Sequence, residues 1–384
     1  MNKIVVILLL ALLVGVSCRK TSTPSASSAP PATTPAPEQL NHPAGGTTPP
    51  PQTKYFKGSI GTSLDLQMKL VREGDQLAGS YYYQKVGTPI TLRGTVDKDG
   101  NLTLQEFDPN GKQTGVFKGL WTVSAEDGLI NLAGNWSKPP GEKGEDKKTA
   151  FSVHEEPINL SAGVELIPKE IKENNKKLVY EIDVRYPQLG GSDNPNFQKF
   201  NQAVRAAVMK EVTGFKKAMA PEEGEEPPPE NSMVSELNIR YRFGMAQDDL
   251  ISINFDVSSY FQGAAHGNVT SMVLNYDLKN GKPLKLVDLF QPGAKYLPAI
   301  STYCIGELKK QEKDKGLQAD LIASGGAPTA QNYKSWLISK RGLGVTFDPY
   351  QVGPNSAGPQ FVLVPYATLK ELIKPDGPIA QLAK

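Results

Sequence analysis

The sequence predicts two folded bodies: an N-terminal antiparallel β-barrel of about eight strands, and an α+β domain of antiparallel sheet with packed helices. Three observations carry this. Between residues 54 and 156 apolar residues alternate with polar ones in short runs broken by Gly-containing turns, with no helical period between them. After residue 157 the alternation returns but is interrupted by helical patterns, so helices are segregated from strands. A Pro-rich, nearly uncharged segment precedes both bodies and cannot bury enough apolar surface to offset chain entropy.

Residues 1–18 read as a bacterial lipoprotein signal. Lys3 supplies a positive start, Ile4 to Val16 form an apolar run of thirteen residues, and small residues Gly15 and Ser17 lead to Cys18. Thirteen residues fall short of the ~20 that span a bilayer as a helix. Cys18 stands where such a signal places its lipidated cysteine, although Gly15 occupies the position where Leu is usual. A cleaved secretory signal without lipid is the alternative. Arg19 follows the cysteine, in place of the Asp associated with inner-membrane retention. Residues 19–53 form a tether, with nine prolines between residues 21 and 53. The expected partner of this N-terminus is a membrane, reached through the lipid, and the expected location is the extracytoplasmic cell envelope.

The barrel is expected over residues 54–156. Leu64, Leu66, Met68 and Leu70 alternate, and runs follow at Leu77–Gln84, Ile90–Val96, from Leu102, Val116–Val123, Leu129–Trp136 and Ala150–Val153. Glu73-Gly74-Asp75, Asp99-Gly100-Asn101, Pro109-Asn110-Gly111 and Asp127-Gly128 mark turns. The steps Gly79-Ser80-Tyr81, Gly119-Leu120-Trp121 and Gly134-Asn135-Trp136 resemble small lipocalin- or avidin-type barrels. An outward tyrosine among Tyr81, Tyr82 and Tyr83, paired with Trp121 or Trp136, could stack on sugar; packing is the competing reading.

The second body is expected over residues 157–384. Leu178 to Tyr186 alternate as a strand ending at Pro187. Asn194-Pro195 caps a helix in which Phe197, Phe200, Val204, Val208, Val212, Phe215 and Met219 recur at three- and four-residue intervals. Pro221 to Glu230 is a solvated loop. Strands follow at Leu237–Phe243, Ile251–Val257 and Met272–Tyr276, the last closing at an Asn280-Gly281 turn. A helix from about Lys295 to Lys313, strands at Val345–Phe347 and Phe361–Val364, and a terminal helix from Tyr366 complete the chain.

Charge excludes some functions. The chain carries 42 Lys+Arg against 40 Asp+Glu. The balance is 13 to 14 in residues 54–156 and 26 to 25 from 157 onward, so neither half has a nucleic-acid footprint. Cys18 and Cys304 are the two cysteines. With Cys18 lipidated, the folded part has no internal disulfide, and Cys304 fits a buried thiol on a helix.

The C-terminal half resembles the extracytoplasmic domain pair of the anti-sigma factor RsiV and of the non-catalytic region of the peptidoglycan deacetylase PdaC. The blocks that carry it are Tyr180-Glu181-Ile182-Asp183-Val184-Arg185-Tyr186-Pro187 and Tyr260-Phe261-Gln262-Gly263-Ala264-Ala265-His266-Gly267-Asn268. Asn275-Tyr276-Asp277-Leu278, Asp288-Leu289-Phe290 and Val345 to Pro354 continue the series over roughly residues 165–375. Ala264 departs from the family's second glycine. The resemblance implies a binding module for a lysozyme-like protein or for peptidoglycan. Tyr260, His266, Asn268 and Tyr350 are the candidate ligand contacts. It implies no catalytic set, metal or cofactor.

Zinc-dependent deacetylation needs an Asp and two His around one metal, whereas His42, His154 and His266 are far apart in sequence. Thr346-Phe347-Asp348 starts like a deacetylase motif, but Pro349 replaces its second Asp. The alternative function is an envelope glycan hydrolase using His266 with Asp256 or Asp277 as acid and base.

Overall fold

The computed structural model describes residues 52–83, 89–126, 128–144, 146–161, 163–221, 229 and 232–384. The signal with Cys18, nearly all of the tether, Gln84, Asp127 and most of the Pro221–Glu230 loop lie outside the described residues. Among the described residues no helix is long and apolar enough to cross a membrane.

Eight strands close a barrel in chain order: β1 (Gln52–Ile60), β2 (Leu64–Glu73), β3 (Gln76–Tyr83), β4 (Ile90–Val96), β5 (Asn101–Phe107), β6 (Gln113–Val123), β7 (Ile130–Ser137) and β8 (Thr149–Glu155). Antiparallel pairing of β1 with β8 shuts it, leaving no free edge. β1 starts at Gln52, two residues before the expected boundary.

Inward residues fill the barrel: Phe56, Leu66, Leu70, Tyr81, Leu92, Leu104, Phe117, Leu132 and Val153 are fully buried. Tyr81 and Phe117, then Phe117 and Phe151, meet edge to face at 5.6 and 5.1 Å. Gly119 and Gly134 face each other across β6 and β7, and a Cβ on either would come within 2.2 Å of a carbonyl oxygen of the other strand. These glycines therefore serve close strand approach.

Tyr81 is interior, donating from its hydroxyl to Glu106 at 2.6 Å, and Trp136 Nε1 donates to the same carboxylate at 2.8 Å. Tyr82 points outward and, with Tyr241 of the second body, lines a half-open cleft. The Trp121 ring lies beneath the Arg72 guanidinium. Packing accounts for Tyr81, Trp121 and Trp136.

In the second body, β9 (Ile158–Asn159), β10 (Glu165–Asn175) and β11 (Tyr180–Gly190) precede helix α1 (Pro195–Ala218), and β12 (Ser235–Gln247), β13 (Leu250–Tyr260), β14 (Asn268–Asp277) and β15 (Lys282–Pro283) follow it. They form one sheet in the order β10-β11-β12-β13-β14-β15, with β9 beside β12. The sheet is antiparallel except where β12 pairs parallel with β11 and β9. The β11–β12 pairing uses α1 as its crossover.

Asn194 caps α1 through its side-chain oxygen, at 2.9 Å from the Asn196 N–H, and Pro195 opens the helix. Phe197, Phe200, Val204, Val208, Val212 and Phe215 bury the inner face of α1 against Ile182, Val184, Ile239 and Phe255. Strand β11 continues past Pro187, which faces Pro168 of β10 directly. Two prolines can oppose each other only at a pair that exchanges no N–H bonds.

A second core gathers α2 (Tyr296–Lys310), α4 (Ala319–Gly325), the small sheet β16 (Trp336–Ile338), β17 (Gly342–Phe347) and β18 (Gln360–Pro365), and α5 (Tyr366–Leu369), with the short α3 (Glu312–Lys315) outside it between α2 and α4. The expected Lys295–Lys313 helix breaks at Gln311. Buried polar groups join the two sheets: Asn275 Nδ2 donates to Trp336 O at 2.8 Å, and Ser252 Oγ accepts from Ile338 N at 2.8 Å. Gly244 sits where β12 nears this sheet, and a Cβ there would fall 2.4 Å from Ile338 O. Cys304 is fully buried in this core, and burial pushes its thiol up to about 12.

Candidate functional site

Strands β13 and β14 form a hairpin whose pairing ends at Ser259 and Asn268, leaving residues 261–267 as its exposed tip. Gly263 takes φ 83°, and Ala264 N donates to Phe261 O at 3.0 Å, so the tip closes without the second glycine of the family pattern. From the small sheet, the turn after β17 reaches the same place. Asp348 accepts from Ser271 N at 2.9 Å, fixing this turn to β14.

Tyr350 follows in the left-handed region, with φ 69°. An L residue there costs about 1–2 kcal/mol, so the turn is held by its surroundings. The Tyr350 ring stands 58% exposed. Its hydroxyl lies 3.1 Å from His266 Nε2, and the two rings are 6.4 Å apart.

The imidazole is fixed by its other nitrogen. His266 Nδ1 lies 2.9 Å from Gly267 O and Nε2 lies 3.1 Å from the Tyr350 hydroxyl, so the ring is held through both nitrogens. The Asn355 amide sits 3.2 Å from Nδ1. His266 and Tyr350 are thus brought together from 84 residues apart. Asn355 joins them, a residue that the sequence reading passed over.

Tyr260 turns elsewhere, its hydroxyl 3.6 Å from Met233 Sδ. Asn268 is exposed at the start of β14. Phe261 is 38% and Met233 66% exposed, widening an aromatic and apolar surface around the tip.

The acid–base pairs of the hydrolase reading are not assembled. Asp256 lies mid-strand, with Arg242 Nη1 2.7 Å from its Oδ1 and Asn254 Nδ2 donating to the same oxygen. Asp277 ends β14 opposite the tip, about 30 Å along the strand, where it caps the Asn280 turn. Among the described residues no three His, Cys, Asp or Glu could hold a metal ion together. His154 stands on the outer face of β8 beside Lys57, in the barrel, while His266 sits at the hairpin tip. The residues here do not fit a zinc-deacetylase centre.

Known proteins match both segments of this half. The family described as Deacetylase PdaC matches residues 173–269, and that described as Protein of unknown function (DUF3298) matches residues 287–367. Peptidoglycan-N-acetylmuramic acid deacetylase PdaC of Bacillus subtilis is 29% identical over 177 residues, 46% of this chain. The chain spans 37% of that relative's length. A DUF3298-family crystal structure from Bacteroides fragilis aligns at 16% identity and TM-score 0.41, covering 58% of this chain and 97% of its own. A short afifavidin–biotin complex aligns with 27% of this chain and 87% of its own, at 16% identity and TM-score 0.21. The C-terminal half of this chain therefore carries a PdaC/DUF3298-type domain.

Proposed function

We propose that this protein is a lipid-anchored recognition module of the bacterial cell envelope, binding cell-wall glycan through the β13–β14 tip and the Tyr350 turn. One observation carries the reading: Tyr350 is held in a strained backbone conformation that presents an exposed ring beside a fixed imidazole. Strain without burial has no stability rationale at this position. An exposed aromatic face flanked by hydrogen-bonding side chains on a rigid sheet suits the apolar face and hydroxyls of a sugar ring. The PdaC match supports a cell-wall setting, and the signal ending at Cys18 with its Pro-rich tether supports the anchor.

The test is co-sedimentation of the protein with purified peptidoglycan, beside capture on immobilised lysozyme, with soluble sugar release monitored. Saturable peptidoglycan binding, weakened about tenfold by H266A and without released product, is the expected result. Binding to lysozyme alone would replace glycan by a protein ligand. Released product lost in H266A would make the protein a hydrolase.

A further inference from the structure

Apart from this surface, the barrel and the large sheet enclose a half-open cleft of about 330 Å³. Gln67 and Tyr82 line it from the barrel, Tyr241 from β12, Glu165 from β10, and Glu156 from the link between β8 and β9. A smaller pocket of about 130 Å³ adjoins it across Gln67, Tyr82 and Tyr241, toward Arg185. The Tyr82 hydroxyl donates to Gln67 Oε1, and the Gln67 side chain also bonds Tyr241, so these three form a fixed wall.

The cations around the cleft already have partners. Lys57 Nζ donates to Tyr241 O at 3.0 Å, Lys69 pairs with Glu165 at 3.3 Å, and Arg185 pairs with Glu170 at 3.3 Å. Glu156 differs. Among the described residues its carboxylate accepts no hydrogen bond and forms no ion pair within 4 Å. Burial raises its pKa, opposed only in part by the nearby Lys57 charge. A carboxylate that opposes folding, on the wall of an open cleft beside aromatic rings, marks a site rather than a structural contact.

We propose that this cleft binds a single-ring molecule carrying a protonated amine, of the amino-sugar class, with Glu156 as counter-ion and Tyr82 and Tyr241 packed on its body. An ammonium adds a charge-assisted hydrogen bond to a carboxylate with no protein donor, and the part-exposed Tyr82 ring offers a face to a cation, the Tyr241 ring being buried beneath Lys57. The volume lies at the small end of ligand sites, enough for one ring. Tyr241 is five residues along β12 from Glu236, which pairs with Tyr260, so the cleft and the hairpin tip are about 17 Å apart along the strand. The two sites therefore stand or fall independently.

Calorimetry of the full chain with glucosamine tests this, with N-acetylglucosamine as the same ring deprived of its charge. Saturable glucosamine binding at pH 7 is expected, about tenfold or more weaker for N-acetylglucosamine and for E156Q. Affinity should rise with pH as Glu156 ionises, with Tyr55, Lys57, Lys69, Tyr82, Glu165, Arg185 and Tyr241 the other titratable groups around the cleft. No saturable glucosamine binding, equal binding of the acetylated ring, or unchanged binding in E156Q overturns the proposal. Thermal melting of E156Q checks its fold; if it fails to fold, the two sugars and the pH series decide with the wild-type protein. H266A leaves this binding unchanged.

Discussion

Replacing Tyr350 by glycine separates backbone strain from side-chain chemistry. At φ 69° the tyrosine carries about 1–2 kcal/mol of strain, which glycine releases. Glycine returns about 0.5–1 kcal/mol of that through greater freedom in the unfolded chain. The ring is 58% exposed, so little burial is lost. Its solvent-facing bond to His266 contributes at most about 1 kcal/mol. These terms nearly cancel, placing Y350G within about 1 kcal/mol of wild type. Y350A loses the ring but keeps the strain, so, net of glycine's greater unfolded-state freedom, it should be less stable than Y350G by about 0.5–1 kcal/mol. Urea denaturation gives the two differences, and amide hydrogen exchange in β17 and β18 shows where they arise. A loss above about 2 kcal/mol in Y350G, or Y350A at least as stable as Y350G, would mean that the ring itself holds the turn and would remove the argument for a presented side chain.

Three further outcomes follow from buried groups. In the barrel, Glu106 accepts from Tyr81, Thr114 and Trp136 at 2.6, 2.7 and 2.8 Å, so E106A orphans three donors and should cost about 3–5 kcal/mol by urea denaturation, with Y81F costing less. Glu156 has its folded pKa raised above 4.5, so its penalty is absent below the unfolded value, grows as pH rises, and is complete above the folded value. E156Q should therefore melt higher than wild type at pH 8, and the difference should vanish below about pH 4. In the joint between the two sheets, G244A drives a methyl to 2.4 Å from Ile338 O, and a loss of about 1–3 kcal/mol, seen in thermal melts, is expected.

The barrel was legible because each strand alternates about its own turn, as Leu66, Met68 and Leu70 do before Gly74. Helix α1 was legible for a similar local reason: its cap, its proline and its apolar period all lie within one stretch. Strand β10 was not, because Pro168 and a run of charged residues hide the alternation of an edge strand exposed on one face. The parallel pairing of β11 with β12 depends on where α1 returns the chain, which no local pattern encodes. At the tip, the residue types were legible but their meeting was not. His266 and Tyr350 join only through the packing of the small sheet on β14, and Asn355 gives no signal of its own. Asp256 looked available from sequence proximity, yet Arg242 lies within an ion-pair distance on the neighbouring strand and takes its charge. Glu156 drew no notice because its isolation comes from the junction of the two bodies.

The central claim is that the presented Tyr350 ring binds cell-wall glycan. Equilibrium co-sedimentation of wild-type protein and Y350G with purified peptidoglycan tests it most directly. Saturable binding by wild type, lost by about tenfold or more in a Y350G protein of unchanged stability, is the predicted result. Equal binding by both, or none by wild type, would contradict it.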